Sequence, residues 1–92
     1  MSQASGHAEA WMGAVHGLDA ASALDKKTEE LAHLAVLAAL RLESGIPLHV
    51  QLAKEAGATR EEIISAILVG LPAAGQGVTQ VLPTAIATYD AG

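Results

Sequence analysis

Residues 31–40, LAHLAVLAAL, are apolar around nearly the whole circumference of a helix, and that run constrains the fold more than any other feature. A helix of this kind needs to be enclosed on every side rather than along one stripe. The run is interrupted by His33 and bounded by Glu30 and Arg41, well short of the about 20 apolar residues that span a bilayer. The enclosure must therefore come from other helices. With 92 residues the chain has room for one domain, and a domain of that size buries only roughly 60–65% of its unfolded surface. Twenty positions are Ala, Phe is absent, and the only aromatic residues are Trp11 and Tyr89. Small side chains let helices approach closely, yet each buries little area. The missing burial is expected from further copies of the same chain.

Several function classes fall away on composition. With 51% hydrophobic and 16% charged residues, the chain lacks the signature of disorder. Without cysteine it has no disulfide framework and no zinc–thiolate site. Five Lys/Arg against ten Asp/Glu give a net charge of −5 and no basic stripe to meet phosphates, so nucleic acid is not an expected partner. No basic segment followed by an apolar one opens the chain, which gives a cytoplasmic expectation with no membrane association.

Helical signals run from end to end. Residues 1–6 read as a frayed tail, and residues 7–16 as a weak helix through Ala8, Trp11, Met12 and Val15, stopped at Gly17. Residues 18–24 read as a connector. Asp25 is placed to cap a central helix over about residues 26–43, broken by Ser44 and Gly45. Pro47 suits the first turn of a third helix that ends near Ala56, with Gly57 after it. Thr59-Arg60-Glu61-Glu62 forms a capping box opening a helix through Ile63, Ile64, Ile67, Leu68 and Leu71, weakened by Gly70 and Pro72. The last helix, about residues 78–89, contains Pro83 and must kink there or form as two pieces. Nowhere do apolar and polar residues alternate over a strand length. The fold class is all-α, a multi-helix protomer of about five helices, with residues 1–23 a tail and short helix and 24–92 the helical domain.

Four His and ten carboxylates are the only reactive groups of note. No Ser lies in a nucleophile-elbow context, and the glycines between 70 and 77 carry no Lys-Ser/Thr and follow a helix, unlike a phosphate loop. Glu30 and His49 lie on successive helices, and spacing alone does not decide whether they meet. The N-terminal end of its helix disfavours an imidazolium at His49, leaving a ring able to accept a proton. The structural alternative is a helix-face His satisfied by a backbone carbonyl and a solvated Glu. Glu30-Leu31-Ala32-His33 is a Glu-x-x-His pair on one helix face, as in di-iron carboxylate bundles. Those bundles need a second copy and two further Glu, so no metal and no cofactor are expected. The alternative for His33 is a polar residue facing a small cavity or a neighbouring subunit. His7 and His16 share no good ligand spacing and read as surface or interface residues.

Residues 24–89 resemble the carboxymuconolactone decarboxylase-like family, which includes the AhpD-like hydroperoxidases. The resemblance rests on LDKKTEELAHLAVLAAL, on IPLHVQLAKEAGATREEI and on the Ala/Gly-rich helix that follows. The run from His49 to Ile63 is its most specific part. The resemblance implies a compact helical protomer that assembles as a homo-trimer or homo-hexamer, with sites near subunit contacts. In the AhpD-like branch a Glu is followed by Cys-x-x-Cys and then by a His four residues past the second Cys. Glu30 and His49 stand at the Glu and His positions, whereas Leu42 and Gly45 stand where the thiols would be. Neither residue can form a sulfenic acid or a disulfide, so peroxidase chemistry is expected to be lost. The decarboxylase branch commonly lacks the Cys pair and keeps the His, with an acidic run before it where this chain reads Leu42-Glu43-Ser44.

Two functions follow from these readings. The first is acid/base chemistry on a small organic acid or lactone, a decarboxylation or isomerisation of carboxy-lyase or isomerase type. In it His49 is the base and Glu30 its acid or orienting partner, and a small-molecule ligand is implied. The second is a non-catalytic oligomeric binding or assembly module of the same family. A cavity touching the pair favours the first; Leu42 and Leu48 filling that space favour the second.

Overall fold

The structure is a computed structural model that describes residues 2–92, with side chains from Ser5 onward. Its elements are α1 (Ser2–Ala21), α2 (Lys26–Leu40), α3 (Ile46–Glu55), α4 (Arg60–Leu68), the single turn α5 (Leu71–Ala74) and α6 (Leu82–Ala91), with 3₁₀ turns at Glu43–Gly45 and Gln76–Val81. All-α is correct: among the described residues there is no strand.

The punctuation expected between helices acts largely where it was placed. Asp25 caps α2, its carboxylate accepting from the Thr28 N–H at 2.7 Å. Thr59 and Glu62 close a reciprocal capping box at the head of α4. Gly57, at φ 100°, supplies the left-handed turn after α3 that a side chain would oppose. Pro83 takes the two-piece solution, a 3₁₀ stretch followed by α6 with proline in its first turn. The central helix ends earlier than expected. Arg41 adopts a left-handed conformation (φ 58°) and its N–H returns to the carbonyls of Ala38 and Leu37, so the helix closes three residues before Ser44.

The N-terminal expectations need a larger correction. Met1 lies outside the described residues, but from Ser2 the presumed tail is helical, and the helix continues through Gly17 into the presumed connector as far as Ala21. Gly17 does not enter the positive-φ conformation that makes glycine a helix stop. The chain turns instead just ahead of the Asp25 cap.

The core lies where α2 packs against α3 and α4 and where α6 and the Gln76–Val81 turn close the far side. Leu34, Ile46, Val50, Ile63, Ile67, Val78 and Val81 are its large fully buried side chains. Tyr89 ties α6 to the α3–α4 corner, donating its hydroxyl to the Ala58 carbonyl at 3.1 Å, while the Lys54 ammonium sits 4.5 Å from the centre of its ring. The apolar run of α2 is not enclosed within one chain. Its buried stripe is Glu30, Leu34 and Ala38, while Val36 and Leu40 are more than half exposed. α1 takes no part in the core: every described side chain from Ser5 to Ala21 is exposed, with Trp11 at 70% and Leu18 at 73%. The radius of gyration of 14.2 Å exceeds the about 12 Å of a fully compact chain of this length, as expected with a 20-residue helix lying off the α2–α6 body. No helix is long and apolar enough to cross a membrane among the described residues.

Candidate functional site

The buried stripe of α2 repeats every four residues, and its first member is a carboxylate. Glu30 occupies the position that Leu34 and Ala38 occupy one and two turns later, and it is only 3% exposed. A buried carboxylate must find partners for both oxygens. Oε1 lies 2.7 Å from Nδ1 of His49, and Oε2 lies 3.0 Å from the ammonium of Lys26, one turn earlier on the same helix. Lys26 is half exposed and also reaches Asp19, at 3.6 Å, at the end of α1.

α3 brings His49 to this point from its first full turn. Its buried stripe is Ile46, Val50 and Ala53, which leaves His49 at the edge of the α2–α3 contact, half-buried. Burial pushes the Glu30 carboxyl up, but the hydrogen bonds from His49 and Lys26, reinforced by their charge, outweigh it and hold the group below the ordinary glutamate range. Glu30 is therefore a carboxylate at neutral pH, able only to accept. Nδ1 of His49 must then carry the proton of their hydrogen bond, and Nε2 is the ring atom left to exchange one.

His33 completes the group. Three residues after Glu30 on α2, it stacks on the His49 ring with centroids 4.1 Å apart and an interplanar angle of 21°. Glu30–His49 and Glu30–His33 are separate pairs in the sequence, and the structure merges them into one cluster. Donor atoms of Glu30, His33 and His49 all lie within 4.8 Å of one another. The expectation of no metal was drawn from a lone Glu-x-x-His pair, and His49 adds a third donor to it. Lys26 was not anticipated, although a Lys four residues before a Glu is a legible helix pair. Glu30 itself could have been flagged as buried from its register with Leu34 and Ala38.

The cluster borders a cleft of about 580 Å³ between α1 and α2, reached through His33 and walled by Trp11, Val15, Leu18 and Ala21, with Asp19, Ser22 and Glu29 as its polar edge. Neither Glu30 nor His49 lines this cleft, so it does not meet the criterion of a cavity touching the pair. Leu42 and Leu48, the residues expected to fill such a space if the site were only structural, are 49% and 60% exposed and do not line it either. At the other expected thiol position, a β-carbon on Gly45 would stand 3.2 Å from a methyl of Leu37, so Leu37 occupies much of the space a side chain there would need. His7 and His16 lie on the exposed face of α1, away from the core.

The sequence model of the carboxymuconolactone decarboxylase family matches residues 6–86, a span that takes in most of α1 as well as the cluster. No curated protein and no solved structure matches the chain.

Proposed function

The chain belongs to the carboxymuconolactone decarboxylase family, and from that premise we propose that it is a thiol-free acid/base enzyme acting on a small organic acid or lactone. The observation that carries the proposal is the 2.7 Å contact between a buried Glu30 carboxylate and Nδ1 of His49. A carboxylate that fixes one ring nitrogen as a donor turns the other toward proton exchange, an arrangement shared by many His-based catalysts. In a decarboxylation the bond to the departing carboxyl carbon breaks and CO2 leaves. The electron pair passes into the conjugated carbonyl, and protonated His49 delivers a proton to carbon. In an isomerisation neutral His49 removes a proton from one carbon and returns it to another. Glu30 stabilises the imidazolium in either case, and Lys26 keeps Glu30 ionised. Thiol-based peroxide reduction has no residues to run on, because the chain contains no cysteine.

The test is turnover of a panel of carboxylated lactones and short unsaturated acids, followed by CO2 release or ultraviolet absorbance. His49→Ala should lower the rate on the active compound by about 10²–10⁴-fold, the usual contribution of a positioned acid/base group. An unchanged rate in that variant would overturn the proposal. So would background rates across the panel, which would leave the non-catalytic module as the better account.

We further propose that the protein works as a homo-oligomer, a trimer or hexamer. The support is the uncovered apolar surface of one chain: Trp11, Met12, Val15 and Leu18 along α1, together with Val36, Leu40 and Val69 on the body. Single exposed apolar residues are unremarkable, but a continuous helical stripe of them marks a contact surface. Mass by light scattering should exceed that of the 9.3 kDa monomer. A monomer at micromolar concentration would contradict this.

A further inference from the structure

The Glu30–His33–His49 cluster contains more donor atoms than a proton relay needs. The relay uses one carboxylate oxygen and one imidazole. His33 adds a second imidazole, stacked on the first and facing the cleft under α1. We propose that Glu30, His33 and His49 form a binding site for one divalent first-row transition-metal ion, held by one carboxylate oxygen and two imidazole nitrogens and open toward that cleft.

The donor set selects the class of ion. Two imidazoles and one carboxylate suit Zn²⁺, Fe²⁺, Co²⁺ or Ni²⁺, whereas Ca²⁺ and Mg²⁺ prefer all-oxygen shells and Cu⁺ prefers sulfur. The set carries a single negative charge, and no thiolate competes. Distances are close to those required. Bonds of about 2.0–2.2 Å to each ligand bring neighbouring donors to about 3–3.5 Å of one another. The donors lie within 4.8 Å at the widest, so a rotation of His33, the exposed member, closes the set. The 2.7 Å Glu30–His49 pair opens slightly as the ion takes the place of the Nδ1 proton, which passes through solvent to Nε2 and leaves His49 a neutral ligand. Glu30 is pinned in the core stripe and His49 is half-buried, so two of the three ligands are already positioned before the ion arrives. Preorganisation of this kind lowers the ordering entropy of binding.

Charge around the cluster points the same way. Asp19 and Glu29 edge the cleft and raise the local concentration of cations. Lys26, a cation at 3.0 Å from Glu30, already occupies part of the space. Its side chain is half exposed and within reach of Asp19, so it can swing aside as the ion enters. The inference shares two residues with the acid/base proposal but stands on the geometry of the cluster rather than on its reaction, and binding is measured without any substrate.

The experiment is titration of the full-length, chelator-treated protein with CoCl2, reading visible d–d absorption and stoichiometry, followed by displacement with ZnCl2. The expected result is saturation at one ion per chain. His33→Ala should weaken binding at least 10–100-fold, the range for losing even an outer partner of a metal ligand, without loss of helicity by circular dichroism. Lys26→Met should tighten it, and a His7→Ala/His16→Ala double variant should leave it unchanged. Absence of saturable binding overturns the inference, as does binding that survives His33→Ala or disappears with the α1 histidines. Turnover by the chelator-treated protein separates the two proposals: activity without metal leaves the acid/base reading standing whichever way the cobalt titration falls.

Discussion

α1 and α2 are both long and Ala-rich, yet one lies outside the fold and the other is its axis. α2 buries Glu30, Leu34 and Ala38 and packs against α3, α4 and the Gln76–Val81 turn, while α1 carries Trp11, Met12, Val15 and Leu18 at helical spacing and buries none of them within the chain. The difference is not one of helix propensity, since three glycines interrupt α1 and it still runs from Ser2 to Ala21. It is one of partners. Helical stability in proteins comes mainly from packing of an apolar face, and α1 has no such packing within the chain; the homo-oligomer proposed above would supply it. The Glu30–His33–His49 cluster lies where the two regions meet, with Glu30 and His49 on the packed side and His33 facing the cleft that α1 walls.

The sharpest way to break this contrast is to truncate one apolar side chain in each region. Leu34→Ala, at a fully buried position, should lower the unfolding free energy of the chain by about 2–5 kcal/mol in urea denaturation. Trp11→Ala should instead lower the mass seen by light scattering while changing the stability of the separated chain by less than about 0.5 kcal/mol. Equal effects on stability would mean that α1 is packed into the body after all. Thr59→Ala removes one arm of the α4 capping box and should cost about 1 kcal/mol. Gly57→Ala, forced into a left-handed backbone at φ 100°, should cost about 1 kcal/mol or slightly more. Both belong to the body and should leave the assembly mass unchanged.

Acid brings out a smaller effect, confined to the cluster. The Glu30 carboxyl is held below its ordinary range in the folded chain, so the unfolded chain takes up a proton first as pH falls. Stability from this group is complete above the ordinary glutamate range near pH 4.3 and is lost as pH drops through the lower folded value. Glu30→Gln should flatten that acid limb, as followed by urea midpoints across pH. A limb of unchanged steepness would mean that Glu30 is not coupled to His49 and Lys26 in solution.

Legibility in the sequence followed the range of the interaction involved. Caps, proline constraints and the Gly57 turn act within a few residues, and each was readable from Asp25, Thr59, Pro47 and Pro83 alone. The end of α2 was misplaced because Arg41 accepts a left-handed conformation that its residue type does not advertise. Gly17 reads as a helix stop in the sequence, but no contact or positive φ forces one there and α1 runs on to Ala21. In the cluster, Glu30 and His49 were legible as candidates through the family resemblance. Their contact was not, because 19 residues of sequence separation leave the crossing of two helices undetermined. The stacking of His33 on His49 depends on the same crossing and was equally hidden.

The central claim, that Glu30 fixes His49 as a one-sided proton-exchange group, can be read directly from the side-chain nitrogens. Long-range proton–nitrogen NMR of the four histidines at neutral pH should place the His49 proton on Nδ1 and leave Nε2 bare, distinct from His7 and His16. Glu30→Gln should abolish that distinction. A His49 protonated on Nε2, or one whose spectrum ignores the loss of the Glu30 carboxylate, would contradict the account.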